Sequence, residues 1–357
     1  MKFGNEVTLF TSAYDGCETE TFRSGIRIIR KGGRYGVYLK ARKFAKKHLR
    51  EYDIIIDEIN TIPFLSYRIA KDKPLVALIH QLAREIWFYE TRFPISHLGY
   101  FALEPLWLRG YRRIPTITVS NSTKTDLLKV GFQKVFAVHN GISTQPLSKM
   151  PEKASNPVLI FVGRLVRSKH PDHAISAFSQ VKKALPNAEL WMVGEGYMRK
   201  QLTCETDEGV TFFGRVEESK KIDLLSKAHV LLMPSVREGW GISAIEANSV
   251  GTPTVGYRVP GLVDSIVDGS TGYLVRPFDV DALSKATIEI LSDRTTLQNL
   301  SENALVWSRN FHWDKAANEF LSILNNVVRD SDRLGNSSQS LTDHTDPDGK
   351  PAILRIS

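Results

Sequence analysis

The sequence predicts an α/β fold made of two Rossmann-like domains that face each other across a cleft. Short apolar runs alternate with helical patterns through most of the 357 residues, which is typical of doubly wound parallel sheets. A polar stretch containing three prolines, residues 145–157, interrupts this alternation and indicates a linker. The alternation of strands and helices on each side of the linker therefore predicts one sheet before it and a second sheet after it.

Each series has its own strands and helices. In the first series, we interpret apolar runs at 7–10, 54–56, 75–79 and 117–119 as strands, and segments 40–48 and 123–130 as helices. In the second, the corresponding strands are 158–162, 189–193, 211–213, 230–233 and 254–256, with helices at 172–185, 217–227, 243–249 and 281–291.

These patterns predict four parts along the chain. A first domain spans residues 1–150, and a second spans residues 156–310. The amphipathic segment 311–330 is expected to form a helix that packs back across the domains. The polar segment 331–357 is expected to be a disordered tail, because it has too few apolar residues to bury.

Composition narrows the class of protein. Cys17 and Cys204 lie far apart without metal-ligand spacing, so we expect neither a disulfide framework nor a zinc site. The sequence has no signal-peptide pattern and no apolar stretch of about 20 residues. These features predict a cytoplasmic protein. No nucleic-acid motif accompanies the net charge of +8, so no nucleic-acid partner is predicted.

The excess positive charge is concentrated in residues 23–50, where lysines and arginines crowd together with interleaved aromatic residues. One interpretation is a surface that meets an anionic membrane or a phosphorylated acceptor. The other is an ordinary solvated helix face. The first would place the protein at the inner face of the membrane.

The most informative block is residues 235–261, SVREGWGISAIEANSVGTPTVGYRVPG. A buried strand is expected to end just before it, and a glycine-rich turn then leads into a helix. This arrangement places backbone N–H groups at the carboxyl end of a strand, where open α/β sheets bind phosphorylated ligands. Glu238 and Glu246 are eight residues apart, which separates them by about 12 Å along one helix. They therefore fit opposite ends of one elongated ligand, or two glutamates with no joint role.

A second block, residues 161–169, has the sequence FVGRLVRSK. A predicted strand runs into Gly163 and Arg164, and Lys169 follows five residues later. Cations at a strand's carboxyl end can neutralise a diphosphate and stabilise the charge that develops as a nucleoside diphosphate departs. Taken alone, the two cations also fit an ordinary surface.

Together, these blocks resemble glycosyltransferase family 4, a retaining family with the GT-B fold of two facing Rossmann-like domains. The resemblance rests on the order and spacing of motifs between residues 157 and 274. These are Gly163-Arg164-Leu165 with Lys169, Gly194-Glu195-Gly196, Phe213-Gly214-Arg215-Val216, and Glu238 and Glu246 followed by Gly251-Thr252-Pro253. A looser match in the first half includes Ile79-His80, residues 118–122 and Asn140-Gly141-Ile142.

The resemblance implies roles for particular residues. Arg164 and Lys169 would contact the donor diphosphate, and Glu238 would bind the sugar hydroxyls. The sugar and phosphate would be lined by Gly239, Trp240, Gly241, Ile242 and Ser243. Trp240 fits equally well as a pocket wall or as a packing residue.

The remaining implied roles concern the nucleotide and the first domain. Glu246 would bind the ribose, and Val216 would touch the base through backbone groups. His80 would reach the donor sugar, with an ordinary loop histidine as the alternative. His139, which precedes Asn140-Gly141, is expected to be structural.

The implied activity is retaining transfer of a sugar from a UDP-, GDP- or ADP-sugar to an acceptor. The leaving phosphate would help to deprotonate the acceptor hydroxyl, so no enzyme carboxylate is required as a nucleophile. No metal or other cofactor is expected, because Arg164 and Lys169 supply the positive charge. A glycan or lipid-linked glycan of cell-envelope polysaccharide assembly would suit the basic segment as acceptor.

The sequence departs from the family at its start. A family member opens with a strand, a Gly-rich loop and a helix, but residues 6–11 already resemble the second strand. We therefore expect the first domain to lack its opening strand and Gly-rich loop, and thus a central strand of its sheet. Poor stability or weak activity would follow from such a gap.

Other classes remain as alternatives. A nucleotide-sugar-binding protein without transferase activity would result if the missing segment abolished catalysis. GT-B epimerases and phosphorylases have other glutamate or cofactor-lysine patterns, which this sequence does not show. A nicotinamide dehydrogenase is disfavoured because no G-x-G-x-x-G motif with a downstream acidic residue opens either domain.

Overall fold

The computed structural model describes residues 4–70, 73–206, 208–336 and 352–356. Two mostly parallel sheets with helices on their faces make up this part of the chain, so the predicted α/β fold is confirmed. The apolar runs that alternate with helical segments form the strands, and those at Ile54–Glu58, Leu75–Ile79, Val158–Val162 and Val230–Met233 are buried on both faces.

The first sheet contains eight strands. They are β1 (Glu6–Thr11), β2 (Glu20–Arg23), β3 (Ile26–Arg30), β4 (Ile54–Glu58), β5 (Leu75–Ile79), β6 (Thr116–Thr118), β7 (Val135–Ala137) and β14 (Ala352–Ile356). Their spatial order is β2-β3-β1-β14-β4-β5-β6-β7, and only the β2–β3 pair is antiparallel. The strands at Glu20–Arg23, Ile26–Arg30 and Val135–Ala137 are additions to those predicted.

Five α-helices belong to this first part of the described chain. They are α1 (Gly36–His48), α2 (Ile86–Glu90), α3 (Ile95–Leu98), α4 (Glu104–Arg109) and α5 (Asn121–Lys129). A π-helical turn, Gly99–Leu103, joins α3 to α4. Helix α1 buries Val37, Ala41 and Ala45 against one face of the sheet, while its lysines and arginines stay at the surface.

The second sheet contains six strands, all parallel. They are β8 (Val158–Val162), β9 (Glu189–Val193), β10 (Val210–Gly214), β11 (Val230–Met233), β12 (Thr254–Tyr257) and β13 (Gly272–Val275), in the order β10-β9-β8-β11-β12-β13. Helices α6 (Pro171–Ala184), α7 (Arg199–Glu205), α8 (Glu218–Lys227), α9 (Ile242–Asn248), α10 (Leu262–Ser265), α11 (Val280–Ser292) and α12 (Arg294–Ser308) follow its strands.

Helix α13 (Trp313–Asn336) returns the chain from the second sheet to the first. Its apolar side chains Ala316 and Leu324 are buried in a cluster with Ile54, Val76 and Ile117 of the first sheet. The helix therefore covers the face of the first sheet opposite α1, because α1 packs with a separate cluster that includes Phe10 and Ile29.

The prediction of a disordered tail at 331–357 is wrong where the structure describes that segment. Helix α13 continues to Asn336, and residues 352–356 form the strand β14. Residues 337–351 and 357 lie outside the described residues. The error has a physical reason: the run Ala-Ile-Leu-Arg-Ile is apolar enough to be buried, although it follows a polar segment.

The expected gap in the first sheet is also absent. Strand β14 lies between β1 and β4 and pairs with both in parallel register, Leu354 opposite Thr8 and Ile55. The position that the family resemblance assigns to an opening strand is therefore filled by a strand from the other end of the chain. Low stability caused by a missing central strand is therefore no longer expected.

Candidate active site

The strand order of the second sheet creates a crevice between β8 and β11. From β8 the chain moves outward to β9 and β10, whereas from β11 it moves the other way to β12 and β13. Open α/β sheets bind ligands at such a switch point, outside the carboxyl ends of the strands. The two blocks singled out in the sequence, 161–169 and 235–261, lie at the ends of β8 and β11.

Lys169 and Glu238 meet in this crevice. Lys169 Nζ lies 2.5 Å from Glu238 Oε1, and Ser235 Oγ donates to the same oxygen at 2.7 Å. The two charged side chains are only 20% and 13% exposed, so solvent screens their charges less than at an open surface. The sheet edge thus presents an ammonium group beside a held carboxylate, which can bind an anion next to a group of hydroxyls.

Glycines allow the loops at this edge to pack backbone against backbone. A Cβ on Gly194 would lie 1.9 Å from the carbonyl oxygen of Gly163, and one on Gly196 would lie 2.2 Å from that of Leu165. Gly241, with φ of 78°, adopts the left-handed conformation that begins α9. The glycine motifs in the sequence therefore bring the loops after β8 and β9 together.

Glu246 forms a second ionic pair further along α9. Its Oε2 lies 2.9 Å from Nζ of Lys221, which is on α8. Burial raises the pKa of the Glu246 carboxyl, and Lys221 partly opposes that rise. The structure places Glu238 in the loop before α9 and Glu246 on the helix, as the sequence spacing predicts for two ends of one ligand.

His80 comes to the same region from the first sheet, directly after β5. A Cβ on Gly239 would lie 2.8 Å from the His80 carbonyl oxygen, so the two loops touch across the cleft. The His80 side chain is 40% exposed, and its Nε2 lies 3.4 Å from Glu58 Oε1. Burial alone would raise the pKa of Glu58, but His80 and Arg355 outweigh burial and lower it.

Ionic contacts join the two sides of the cleft. Arg237, whose side chain is 6% exposed, donates from Nε to Glu85 at 3.0 Å and from Nη1 to Asp126 at 2.7 Å. The Asp264 carboxylate accepts hydrogen bonds from the backbone N–H groups of Asn121 and Ser122, where α5 begins. These contacts hold the loop that carries Glu238 against the first sheet.

Trp240 does not line an open pocket. Its side chain is 3% exposed and stacks on His139 at 4.3 Å, in an apolar cluster with Val119, Ile142 and Phe311. We therefore correct the assignment of Trp240 as a ligand contact to a packing role between the two sides. His139 accordingly has the packing environment expected of it, and its Nδ1 lies 3.0 Å from the Val119 carbonyl oxygen.

The other residues singled out are at the surface or partly buried near these loops. Arg164 follows Gly163 and is exposed, as is Ile242 at the start of α9. Ser243 and Val216 are partly buried, with Val216 two residues past the end of β10. The structure thus joins His80, Lys169, Glu238 and Gly239 by direct contacts, while Glu246 pairs separately with Lys221.

One cluster among the described residues could hold a metal ion. Single ligand atoms of His170, Asp172 and His173 lie within 4.8 Å of one another, directly after Lys169. His173 Nδ1 already lies 2.7 Å from the Tyr257 hydroxyl. Burial, together with the neighbouring His170, lowers the pKa of His173, which favours the neutral imidazole.

A cavity of about 400 Å³ lies between the first sheet and α13. Most of its lining is apolar, including Ile56, Leu78 and Phe320, and its polar lining residues include His80 and Arg355. The cavity therefore borders the cleft at His80 and extends beneath α13.

Comparison with known proteins gives the class that this fold and site define, which is the GT-B glycosyltransferases. Residues 1–146 match the family model for glycosyltransferase family 4, and residues 147–307 match that for glycosyl transferases group 1. The chain belongs to glycosyltransferase family 4 and is a glycosyltransferase enzyme.

Three relatives illustrate the similarity. Glycogen synthase of Mycobacterium tuberculosis is 26% identical over 324 residues, covering 88% of this chain and 75% of the relative. Sucrose-phosphate synthase from Thermosynechococcus elongatus superposes with a TM-score of 0.77 at 20% identity, covering 91% and 89% of the two chains. Anabaena HepE, solved with UDP and glucose, gives 0.66 at 16% identity, covering 90% and 100%.

Several residues of the site were missed in the sequence. Ser235 and Arg237 precede the recognised Glu238 by three residues and by one residue, and this nearness was the available signal. Lys221, Glu58 and Arg355 act through contacts between segments far apart in the chain. No local pattern identifies such partners, because their proximity depends on the assembled sheets.

Proposed function

We propose that the chain transfers a sugar from a nucleotide-diphosphate sugar to an acceptor with retention of anomeric configuration. The observation that carries this proposal is the Lys169–Glu238 pair at the switch point of the second sheet. An anionic leaving group and a hydroxyl-rich sugar need such neighbours, because one is neutralised by a cation and the other is held by a carboxylate.

In this proposal, the diphosphate lies between Arg164, Lys169 and the loop that begins α9. The first backbone N–H groups of a helix have no partner within the helix, so those of Ile242 and Ser243 suit phosphate oxygens. Gly239 and Gly241 let the backbone approach the ligand closely.

The sugar and the nucleoside occupy opposite ends of the site. Glu238 accepts hydrogen bonds from sugar hydroxyls, and His80 reaches the sugar from the other side of the cleft. Glu246, released from Lys221, binds the ribose hydroxyls. Val216 contacts the base through its backbone at the end of β10.

The proposed reaction forms the new glycosidic bond on the face from which the diphosphate leaves. The bond between the anomeric carbon and the phosphate oxygen breaks, and the acceptor oxygen bonds to the same carbon. The acceptor proton passes to the departing phosphate. Arg164 and Lys169 neutralise the developing charge, so no metal ion or enzyme nucleophile is needed.

The donor is a UDP-, GDP- or ADP-sugar. Anabaena HepE, which shares the fold, was solved with UDP and glucose, and this supports a nucleotide-sugar donor. The similarity in sequence to glycogen synthase of Mycobacterium tuberculosis is consistent with a glycan acceptor.

The acceptor proposal adds contact with a membrane surface. Residues 23–50 place lysines and arginines around the exposed Tyr35 and Leu39, a combination that suits an anionic lipid surface. No helix in the described part of the chain is long and apolar enough to cross a membrane. We therefore propose a cytoplasmic enzyme that meets a lipid-linked glycan at the inner face of the membrane.

The alternative of a binding protein without transferase activity was based on a gap in the first sheet. Strand β14 fills the strand position of that gap but does not supply the Gly-rich loop, so the transfer assay described below distinguishes the two functions.

A donor panel tests the proposed function. Thermal unfolding of the full chain is measured with UDP, GDP, ADP and their sugars, because a ligand that binds the folded state raises the melting temperature. The best donor is then incubated with glycan and lipid-phosphate acceptors, and the anomeric configuration of the product is read by NMR. We expect one nucleotide to stabilise the protein and its sugar to be transferred with retention. Inversion of configuration, or stabilisation by none of them, would contradict the proposal.

A further inference from the structure

Strand β14 is an integral part of the first sheet. The backbone of Ala352 exchanges hydrogen bonds with Asp53: the Asp53 N–H donates to the Ala352 carbonyl oxygen at 2.8 Å, and the Ala352 N–H donates to Asp53 Oδ2 at 2.5 Å. Leu354 and Ile356 are 0% and 1% exposed within the α1 cluster. Strand β14 therefore pairs with a strand on each side and is buried against α1, which makes it part of the core of the first domain.

Side chains alternate between the two faces along β14, so Arg355 lies on the face opposite to that of Leu354 and Ile356. Ile353 is buried with the α13 cluster, and Arg355 lines the cavity that also reaches His80. Arg355 is close to the carboxyl end of β14, which is the end of the sheet that faces the cleft. The chain moves outward from β1 in one direction and from β4 in the other, so β14 and β4 flank the switch point of the first sheet.

The two oxygens of Glu58 have different partners. Oε2 accepts from Arg355 Nε at 2.8 Å and from Nη2 at 2.5 Å. Oε1 lies 3.4 Å from His80 Nε2. Glu58 is 16% exposed, so its carboxylate is held largely out of solvent between one fixed cation and one imidazole.

We propose that Arg355 is a positioning residue, which holds Glu58 so that Glu58 orients the His80 ring toward the cleft. The last described strand of the chain thus contributes to the active site of an enzyme whose recognised motifs all lie before residue 275. This inference rests on the proposed function in one respect only, the contact between His80 and the donor sugar.

If the Arg355–Glu58 pair had only a structural role, a different result would be expected. Such a pair contributes only to stability and leaves the site unchanged when it is removed. A positioning residue changes the environment of the ring it orients, and displacing a reacting group by about 1 Å can reduce turnover about 100-fold.

The test compares Arg355→Gln, Arg355→Lys and Glu58→Gln with the matched control Arg258→Gln. Arg258 forms an ion pair with Asp268 between two exposed side chains, and neither residue is among those proposed to bind the donor or the acceptor. The first readout is the ring ¹⁵N spectrum of the nine histidines, in which His80 is assigned from the signal lost in His80→Asn. The second is steady-state transfer with the donor found by the panel.

We expect Arg355→Gln and Glu58→Gln to shift the His80 ring signals and to lower kcat about 10-fold, with little change in the KM of the donor. Arg355→Lys should restore part of kcat, because an ammonium keeps the charge but lacks the planar fork. Arg258→Gln should alter neither readout. Melting curves of every variant confirm that each one is folded.

Two results would overturn the inference. One is a His80 spectrum that is identical in wild type and in folded Arg355→Gln or Glu58→Gln protein. The other is a loss of kcat in Arg258→Gln as large as that in Arg355→Gln. If the chain transfers no sugar, the proposed function fails, and the ring spectrum still decides whether Arg355 positions His80.

Discussion

Both sheets contain a parallel, doubly wound centre, but they assemble it from the chain in different ways. The second sheet takes its six strands from consecutive segments of the chain, between Val158 and Val275. The first sheet takes its central strand from Ala352–Ile356, and the contact of Asp53 with Ala352 spans 299 residues. The second sheet is therefore complete locally, whereas the first is complete only when α13 has carried the chain back.

Because of this difference, the candidate binding residues of the second sheet can be recognised from local sequence, whereas the assembly of the first sheet depends on a distant segment. The loops of the second sheet contain Lys169, Glu238 and Glu246, and their spacing in the sequence directly reflects the shape of the site. The first sheet contributes His80 and Glu58, and their arrangement depends on a distant strand. Closing a long loop costs entropy that grows only slowly with its length, so β14 can dock if its buried residues contribute enough.

The largest expected effect is on catalysis through the second sheet. Lys169→Met should lower kcat/KM about 1,000-fold, because it removes a cation from the place where negative charge develops. Steady-state transfer measures this loss. The matched control is Lys227→Met, whose ammonium pairs with Asp223 at 2.7 Å on α8. Comparable losses in the two variants would show that the β8 loop has no special part in catalysis.

A smaller effect concerns the stability of the first sheet, whose central strand is β14. Leu354→Ala should lower the free energy of unfolding by about 3 kcal/mol, because it leaves a cavity in the central strand of the first sheet. Urea denaturation measures the change, with Phe22→Ala as the control at a 72% exposed position of the edge strand β2. Equal stability of Leu354→Ala and wild type would mean that β14 is not docked in solution.

The contact between the two sides is expected to affect binding more than chemistry. Arg237→Ala removes both ion pairs with Glu85 and Asp126, so the loop that carries Glu238 should be held less firmly against the first sheet. We expect the KM of the donor to rise about 10-fold, which corresponds to about 1.4 kcal/mol. Arg258→Ala, which removes the pair of exposed side chains with Asp268, serves as control. An unchanged KM in Arg237→Ala would rule out this role.

The last prediction concerns the pH dependence of stability and involves Lys153, in the segment before β8. Burial lowers the pKa of Lys153 to about 7, from 10.5 in an exposed lysine. Between these values the unfolded chain holds one more proton at this site, so stability should rise with pH above about 7. Below about pH 7 both states are protonated, and the full cost of burying the charge is present.

Lys153→Met should therefore reduce the rise in stability between pH 7 and pH 10, by at most about 1.4 kcal/mol per pH unit. Urea denaturation at several pH values measures the slope, with the exposed Lys149→Met as control. A slope that is the same in all three proteins would contradict the buried, shifted lysine.

The comparison of the sheets also explains what could be read from the sequence. The fold class and the Glu238 loop were predictable, because strand–helix alternation and glycine-rich turns are local patterns. Strand β14 was missed because four apolar residues and an arginine after a polar segment give no local sign of a distant partner. Trp240 was ambiguous for a related reason: a tryptophan in a loop becomes buried only when the first sheet packs against it.

The central claim is that the donor diphosphate lies between the loops after β8 and β11. A crystal structure of the protein with the nucleoside diphosphate that stabilises it most tests this claim directly. We expect Arg164 and Lys169 within ion-pair distance of the phosphates, with Glu246 turned from Lys221 to the ribose. Diphosphate bound at a place away from both loops, with the Lys169–Glu238 pair undisturbed, would contradict the account.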